Sequence, residues 1–181
     1  MTTTRTPMLG GDPDALADIP SDQTFKDNDD AAFMPALSAQ EIGDALIANC
    51  PELHYLDGLS IRFVWRRKGA THGGKDVLGK EQKASGVLRM YAQCDFIIVL
   101  GADHCQNAEL NAWQFEALIH HELLHCDVGD DKDGLAWRGH DFEGFEENML
   151  RYGAWHADVA TAKRAFEQMP LFDQPGLRIA S

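Results

Sequence analysis

The stretch Ala117-Leu118-Ile119-His120-His121-Glu122-Leu123-Leu124-His125-Cys126 decides how the rest of the chain reads. Apolar residues recur through it at helical spacing, which predicts an amphipathic helix with a broad apolar stripe. On an α-helix, residues four apart differ by about 40° around the axis. His121 and His125 therefore project from one face, one turn apart, where both imidazoles can reach a single zinc ion. Glu122 stands beside the first imidazole, next to such a metal rather than on it. A carboxylate so placed can take a proton from a zinc-activated water and hand it to a leaving amine. A buried helix with incidental polar groups is the competing explanation. It would have to hide two imidazoles and a carboxylate, which is costly unless they are mutually paired.

A catalytic zinc takes three protein ligands and keeps one position open. The spacing H-E-x-x-H-x-x-G-x-x-H is not met, because Val128 and Asp131 stand where Gly and His are required. His140 is the leading third ligand, at the start of a further predicted helix. Glu143, one turn on, is the alternative, either as a ligand or as a carboxylate orienting an imidazole. Glu146 and Glu147 read as solvated helix-face charges. His120 points about 100° away from His121 and takes a surface or outer-sphere role. His104 could line the cleft; His54, His72 and His156 default to structural or surface positions. Cys126 reads as a packing thiol.

Outward from the motif, Asp95-Phe96-Ile97-Ile98-Val99-Leu100 is β-branched and aromatic and stops at Gly101, which predicts a strand. In Ile61-Arg62-Phe63-Val64-Trp65-Arg66 apolar and basic residues alternate, as in a strand with one better-buried face. Gly69 to Gly79 reads as a loop with a short strand at Val77-Leu78, and Val87 to Tyr91 as another strand. Ser38-Ala39-Gln40-Glu41 has the pattern of a capping box and opens a helix that ends before Pro51. The motif helix runs from about Ala108 to Asp127–Gly129. Two more helices follow, Asp141 to Gly153 and Val159 to Met169. Helix, then strands, then helices gives an α+β class with a small mixed or antiparallel sheet packed on the motif helix. The expected domain is 37–170. Residues 1–36 hold seven aspartates and four prolines and read as an acidic tail, disordered or loosely packed. Residues 171–181 read as a C-terminal tail.

The chain has 16 basic and 29 acidic side chains, a formal net charge of −13. That argues against wholesale nucleic-acid binding, which needs clustered Lys and Arg. Cys50, Cys94, Cys105 and Cys126 form no C-x-x-C pair, the start has no apolar signal region, and no run is long enough to span a membrane. A soluble, reduced, cytoplasmic protein is the expectation. One segment departs from the acidic balance: Arg62 to Arg89 holds eight cations against Asp76 and Glu81. It reads as a charged hairpin complementing acidic helices, or as a local patch for an acidic substrate or nucleic acid.

Taken together, Asp95–Val99, His120–Cys126, Gly139-His140-Asp141-Phe142-Glu143 and Arg151-Tyr152-Gly153 resemble the phage metallopeptidases and, more distantly, SprT-type zincins. The resemblance spans roughly Leu59 to Trp155 and leaves the acidic segment outside. It implies a minimal zincin fold in which an edge strand beside the cleft pairs with an extended peptide or protein substrate. It also implies Zn2+ as cofactor, His121, His125 and His140 as ligands, Glu122 as general base, and the host cytoplasm as location for a phage-encoded protein. Two other readings stay open: a non-catalytic, zinc-stabilised phage interaction or anti-defence protein, and a SprT-type protease acting on nucleoprotein.

Overall fold

The computed structural model describes residues 5–130, 134–140 and 144–168. In chain order the elements are α1 (Asp22–Asp27), β1 (Phe33–Pro35), α2 (Leu37–Asn49), a 3-10 helix (Pro51–Leu56), β2 (Ile61–Arg66), β3 (Ala70–His72), β4 (Lys75–Val77) and β5 (Gly79–Lys83). There follow α3 (Gly86–Ala92), β6 (Phe96–Gly101), α4 (Ala102–Asn107), α5 (Ala112–His125), β7 (Cys126–Val128), β8 (Leu135–Trp137), α6 (Glu146–Tyr152) and α7 (Ala157–Gln168). The class is α+β, as the pattern of elements predicts.

Two of the strands read from the sequence, Ile61–Arg66 and Phe96–Gly101, form the centre of a four-stranded sheet ordered β1-β2-β6-β5. β2 and β6 run parallel, Ile61 opposite Phe96 through Arg66 opposite Gly101. β1 and β5 flank them antiparallel. Side chains alternate across a strand, so Ile61, Phe63, Trp65, Phe96, Ile98 and Leu100 share one face, all of them buried. α5 and α2 cover that face: Trp65 stacks on Phe115 with ring centroids 5.7 Å apart, and α2 comes so close to β2 that a Cβ at Gly43 would lie 2.6 Å from the Phe63 ring. α5 opens with Asn111 and Gln114 in a reciprocal cap, which satisfies two orphan amide donors of its first turn. β5 is left as an edge strand alongside α5. Among the described residues no helix is long and apolar enough to cross a membrane.

Several local expectations give way to packing. Val87 to Tyr91 is helical, within α3: β6, which follows it in the chain, already has a partner on each side and offers it no edge to pair with. α3 accordingly buries none of its residues. The predicted loop at Gly69–Gly79 is a hairpin, β3 with β4, turned by Gly73 and Gly74 at positive φ, a conformation glycine adopts without steric cost. β5 escapes the sequence reading because its Gly-Lys-Glu-Gln-Lys has no apolar alternation. α2 starts at Leu37 without a side-chain cap, so Ser38 and Glu41 do not form the expected box. α6 begins at Glu146; Asp141 to Glu143 lie outside the described residues, as do Met169 and the expected tail 171–181.

The acidic segment is folded onto the domain over its described length. Ser21 caps α1 in a box with Thr24, and Phe25 is fully buried in the main core. Such burial contributes about 1.5–3 kcal/mol. Asp22 and Asp30 both pair with Arg67, at 2.6 and 2.5 Å, and this holds the Asp22 carboxyl well below the usual carboxylate range. Further upstream, the Ala17 amide donates to the Leu110 carbonyl, the Ala112 amide donates to the Ala15 carbonyl, and the amide of Met8 donates to the buried Glu116 carboxylate.

Candidate metal centre

α5 delivers His121, Glu122 and His125 to one end of the sheet, and the segment after β8 brings His140 to the same place. The His121 and His140 Nε2 atoms lie 3.0 Å apart, and the three imidazoles offer nitrogens within 4.8 Å of one another. At that spacing either one Nε2 keeps a proton for the other, or the lone pairs face a shared cation. The separation is close to the ~3.3 Å edge of a tetrahedral set with bonds of about 2.0–2.1 Å. The hydrogen bonds of His125 favour the cation. Its Nδ1 donates to the Arg138 carbonyl at 2.8 Å, which leaves Nε2 with a free lone pair. Its ring is also stacked on Trp137, centroids 5.5 Å apart. Arg138 is itself held, since Glu147 accepts from its guanidinium at 3.0 and 3.2 Å. Glu147 is therefore a clamp behind His125 and not the solvated charge expected; Glu146 is exposed.

His121 sits against Phe145, His125 and His140. One side of the ring keeps contact with the cleft, but loss of hydration, with His125 and His140 adding repulsion, pushes its pKa well below the ordinary histidine value. It is thus the neutral ligand form. Its Nδ1 and the Oε2 of Glu122 are buried without a hydrogen-bond partner. Three converging imidazoles beside the orphaned Glu122 oxygen fit a divalent, nitrogen-seeking metal with a polar group at its side. Glu143 falls outside the described residues.

Glu122 is 4% exposed, and burial, with Glu81 opposing its charge, raises its pKa well above the usual carboxylate range. Its Oε1 faces Gly79 of β5, where a Cβ would approach to 2.5 Å. Glycine at this edge-strand position makes room for the carboxylate. The side chain opens on a cavity of about 220 Å³ lined with His121, His140, Leu78, Trp155 and His156.

Two residues of this centre were missed by the sequence reading. Glu81 shares the inner face of β5 with Gly79, accepts from Trp137 Nε1, and offers a carboxylate oxygen within 4.8 Å of Glu122 and His125. Only the strand register shows that it points inward. His156, assigned to a structural or surface position, stands ahead of α7. Its Nδ1 accepts from the Asp158 amide at 3.4 Å, so the ring proton sits on Nε2, and the residue lines the Glu122 cavity.

His120 is not on the surface: it is fully buried. The amide of Asn148 is fixed by Trp155 Nε1, which donates to Oδ1 at 2.6 Å, and by the Ala117 carbonyl, which accepts from Nδ2 at 2.9 Å. Asn148 Nδ2 then donates to His120 Nδ1 at 3.2 Å, and His120 Nε2 donates to Glu52 at 3.2 Å. Burial pushes the His120 pKa down to about 4, with Glu52 opposing. Cys50, Glu52 and His120 are close enough to suggest a second ligand set. The proton on His120 Nε2 excludes it, and the buried Cys50 thiol is pushed up to about 11. His104 lies just off the cleft, buried, with Nδ1 against the Val77 carbonyl at 3.1 Å. His54 and His72 are exposed. Cys126 is a buried thiol whose Sγ points to the Glu122 carbonyl at 3.7 Å.

A family model described as "Putative phage metallopeptidase" matches residues 31–165. No curated protein and no solved structure matches the chain.

Proposed function

Because the chain belongs to that phage metallopeptidase family, we propose that it is a zinc-dependent peptidase in which His121, His125 and His140 hold the metal and Glu122 is the general base. The reading is carried by the convergence of three imidazoles beside a buried, half-orphaned carboxylate. Zinc bound there supplies a Lewis acid that polarises a carbonyl and makes water more acidic.

The chain's own groups do the rest. Oε2 of Glu122 takes a proton from a water in the cleft, and the carboxyl holds it. Burial and the nearby Glu81 raise its affinity for that proton, and the carboxyl then delivers it to the leaving amine. His156 presents Nε2–H to the carbonyl oxygen of the scissile bond, a donor set in place beforehand by the helix it caps. The free edge of β5 offers backbone donors and acceptors to an extended peptide, which the cleft would then carry past Glu122.

The test is metal analysis of the purified protein together with cleavage of a denatured protein substrate. One equivalent of zinc and turnover are expected. Glu122→Gln should retain the zinc and lose at least about a hundredfold in kcat, the scale of general acid–base catalysis. A protein that stays metal-free on zinc addition, or a Glu122→Gln variant with undiminished turnover, would falsify the reading.

A further inference from the structure

The side of the sheet turned away from α5 is open and differs in charge from the rest of the molecule. Pairing and alternation place Arg62, Val64 and Arg66 of β2, Ile97 and Val99 of β6, Lys80 and Gln82 of β5, and Phe33 of β1 on this face. α3 bounds one end and the β3–β4 hairpin the other. Between them lie two cavities of about 280 and 340 Å³. In a chain with 29 acidic side chains, no carboxylate of the described residues lines either cavity, whereas Arg66 and Lys80 line the first and Arg62 the second.

The basic segment divides into two groups. Arg67, Lys68, Lys75 and Arg89 are matched by Asp22, Asp103, Asp158 and Asp95, and Lys83 donates to the Leu135 carbonyl. These are the cations that complement acidic elements. Arg62, Arg66 and Lys80 are exposed, and their side chains make no ion pair or hydrogen bond among the described residues. They stand on one face, with half-buried valine and isoleucine between them and Phe33, 55% exposed, at the border.

We infer that this face binds single-stranded nucleic acid. Arg62 and Arg66, four residues apart on one strand, are separated by about 13 Å, and β5 lies two strand spacings, about 10 Å, from β2. Cations so spaced around an apolar floor suit a chain that alternates phosphates with flat, stackable bases. A second copy of this protein is a poor occupant, because a two-fold contact would bring the same three cations of each copy together. Duplex is also a poor occupant, since three cations on a molecule of net charge −13 are few for its charge density.

The experiment is fluorescence anisotropy of labelled dT15 and rU15 with the full chain between about 50 and 300 mM salt. Saturable binding is expected for at least one, with log K falling against log salt at a slope of about −2, the value for three contacts to a single strand. Arg66→Glu with Lys80→Glu should weaken binding more than tenfold. Phe33→Ala should weaken it severalfold at unchanged slope, and Glu122→Gln should bind like the parent, so the outcome does not depend on peptidase activity. Circular dichroism of each variant separates lost binding from lost folding. The inference is overturned by no saturable binding at 50 mM salt, by undiminished binding in the folded double variant, or by a duplex bound as tightly. It is also overturned if polyglutamate displaces the oligonucleotide at equal charge, which would make an acidic protein the partner.

Discussion

At the scale of single residues, a helical face was legible and the partners of that face were not. His121, Glu122 and His125 could be placed by helical geometry alone, because spacing along one helix fixes direction. His140 could be nominated but not positioned, since its approach depends on the β7–β8 hairpin returning to α5. His120 illustrates the limit: its direction relative to His121 was right, but nothing in the sequence shows that Glu52 and Asn148 wait on that side. Two predictions belong here. Replacing Gly79 by Ala drives a Cβ into the Glu122 carboxylate, and should lower kcat about ten- to a hundredfold while zinc content, read by metal analysis, stays the same. The second concerns His120. Its folded pKa, about 4, lies below the ordinary 6.5, so the unfolded chain binds a proton that the folded one refuses. That part of the stability is present above about 6.5 and is lost as the pH falls from there towards 4. Urea midpoints measured on the metal-free protein across this window should decline, and His120→Asn should flatten the decline.

At the scale of elements, strands with alternating or continuous apolar character were legible and those defined by their neighbours were not. Ile61–Arg66 and Phe96–Leu100 carry their own burial pattern. Gly79–Lys83 has none, and becomes a strand only because β6 has an unpaired edge for it. The helix at Gly86–Ala92 is the converse, a stretch of strand-like composition whose neighbour in the chain, β6, is already paired on both sides. Elements are also joined by polar groups that periodicity cannot reveal. Asn148 of α6 uses both ends of its amide to bind Trp155, Ala117 and His120, across α5 and the loop before α7. Asn148→Ala leaves two buried groups, Trp155 Nε1 and His120 Nδ1, without a partner and should destabilise the fold by about 2 kcal/mol or more, measured by denaturant unfolding. Asn148→Asp would accept from Trp155 but could not donate to Ala117 or His120, and should rescue little.

At the scale of the whole molecule, composition misled about the first 36 residues. Seven aspartates and scattered prolines hide one phenylalanine that fills the core and a short strand that completes the sheet. A single apolar residue carries no periodic signal, and Asp22 and Asp30 gain their partner, Arg67, only in the folded chain. Phe25→Ala should cost about 3–5 kcal/mol, in the range of core phenylalanine truncations, and lower the melting temperature of the entire domain in one transition. Deleting residues 1–30 should do at least as much. β5 has a further consequence at this scale. Its odd-numbered positions, Gly79 and Glu81, face Glu122, while Lys80 and Gln82 face outward beneath Val99 and Ile97. The strand therefore has a parity, and both surfaces of the protein depend on it. A single residue inserted after Lys80 would turn every later side chain of the strand to the wrong side. An insertion of two would restore the alternation, so this strand should tolerate a change of length in even steps better than in odd ones.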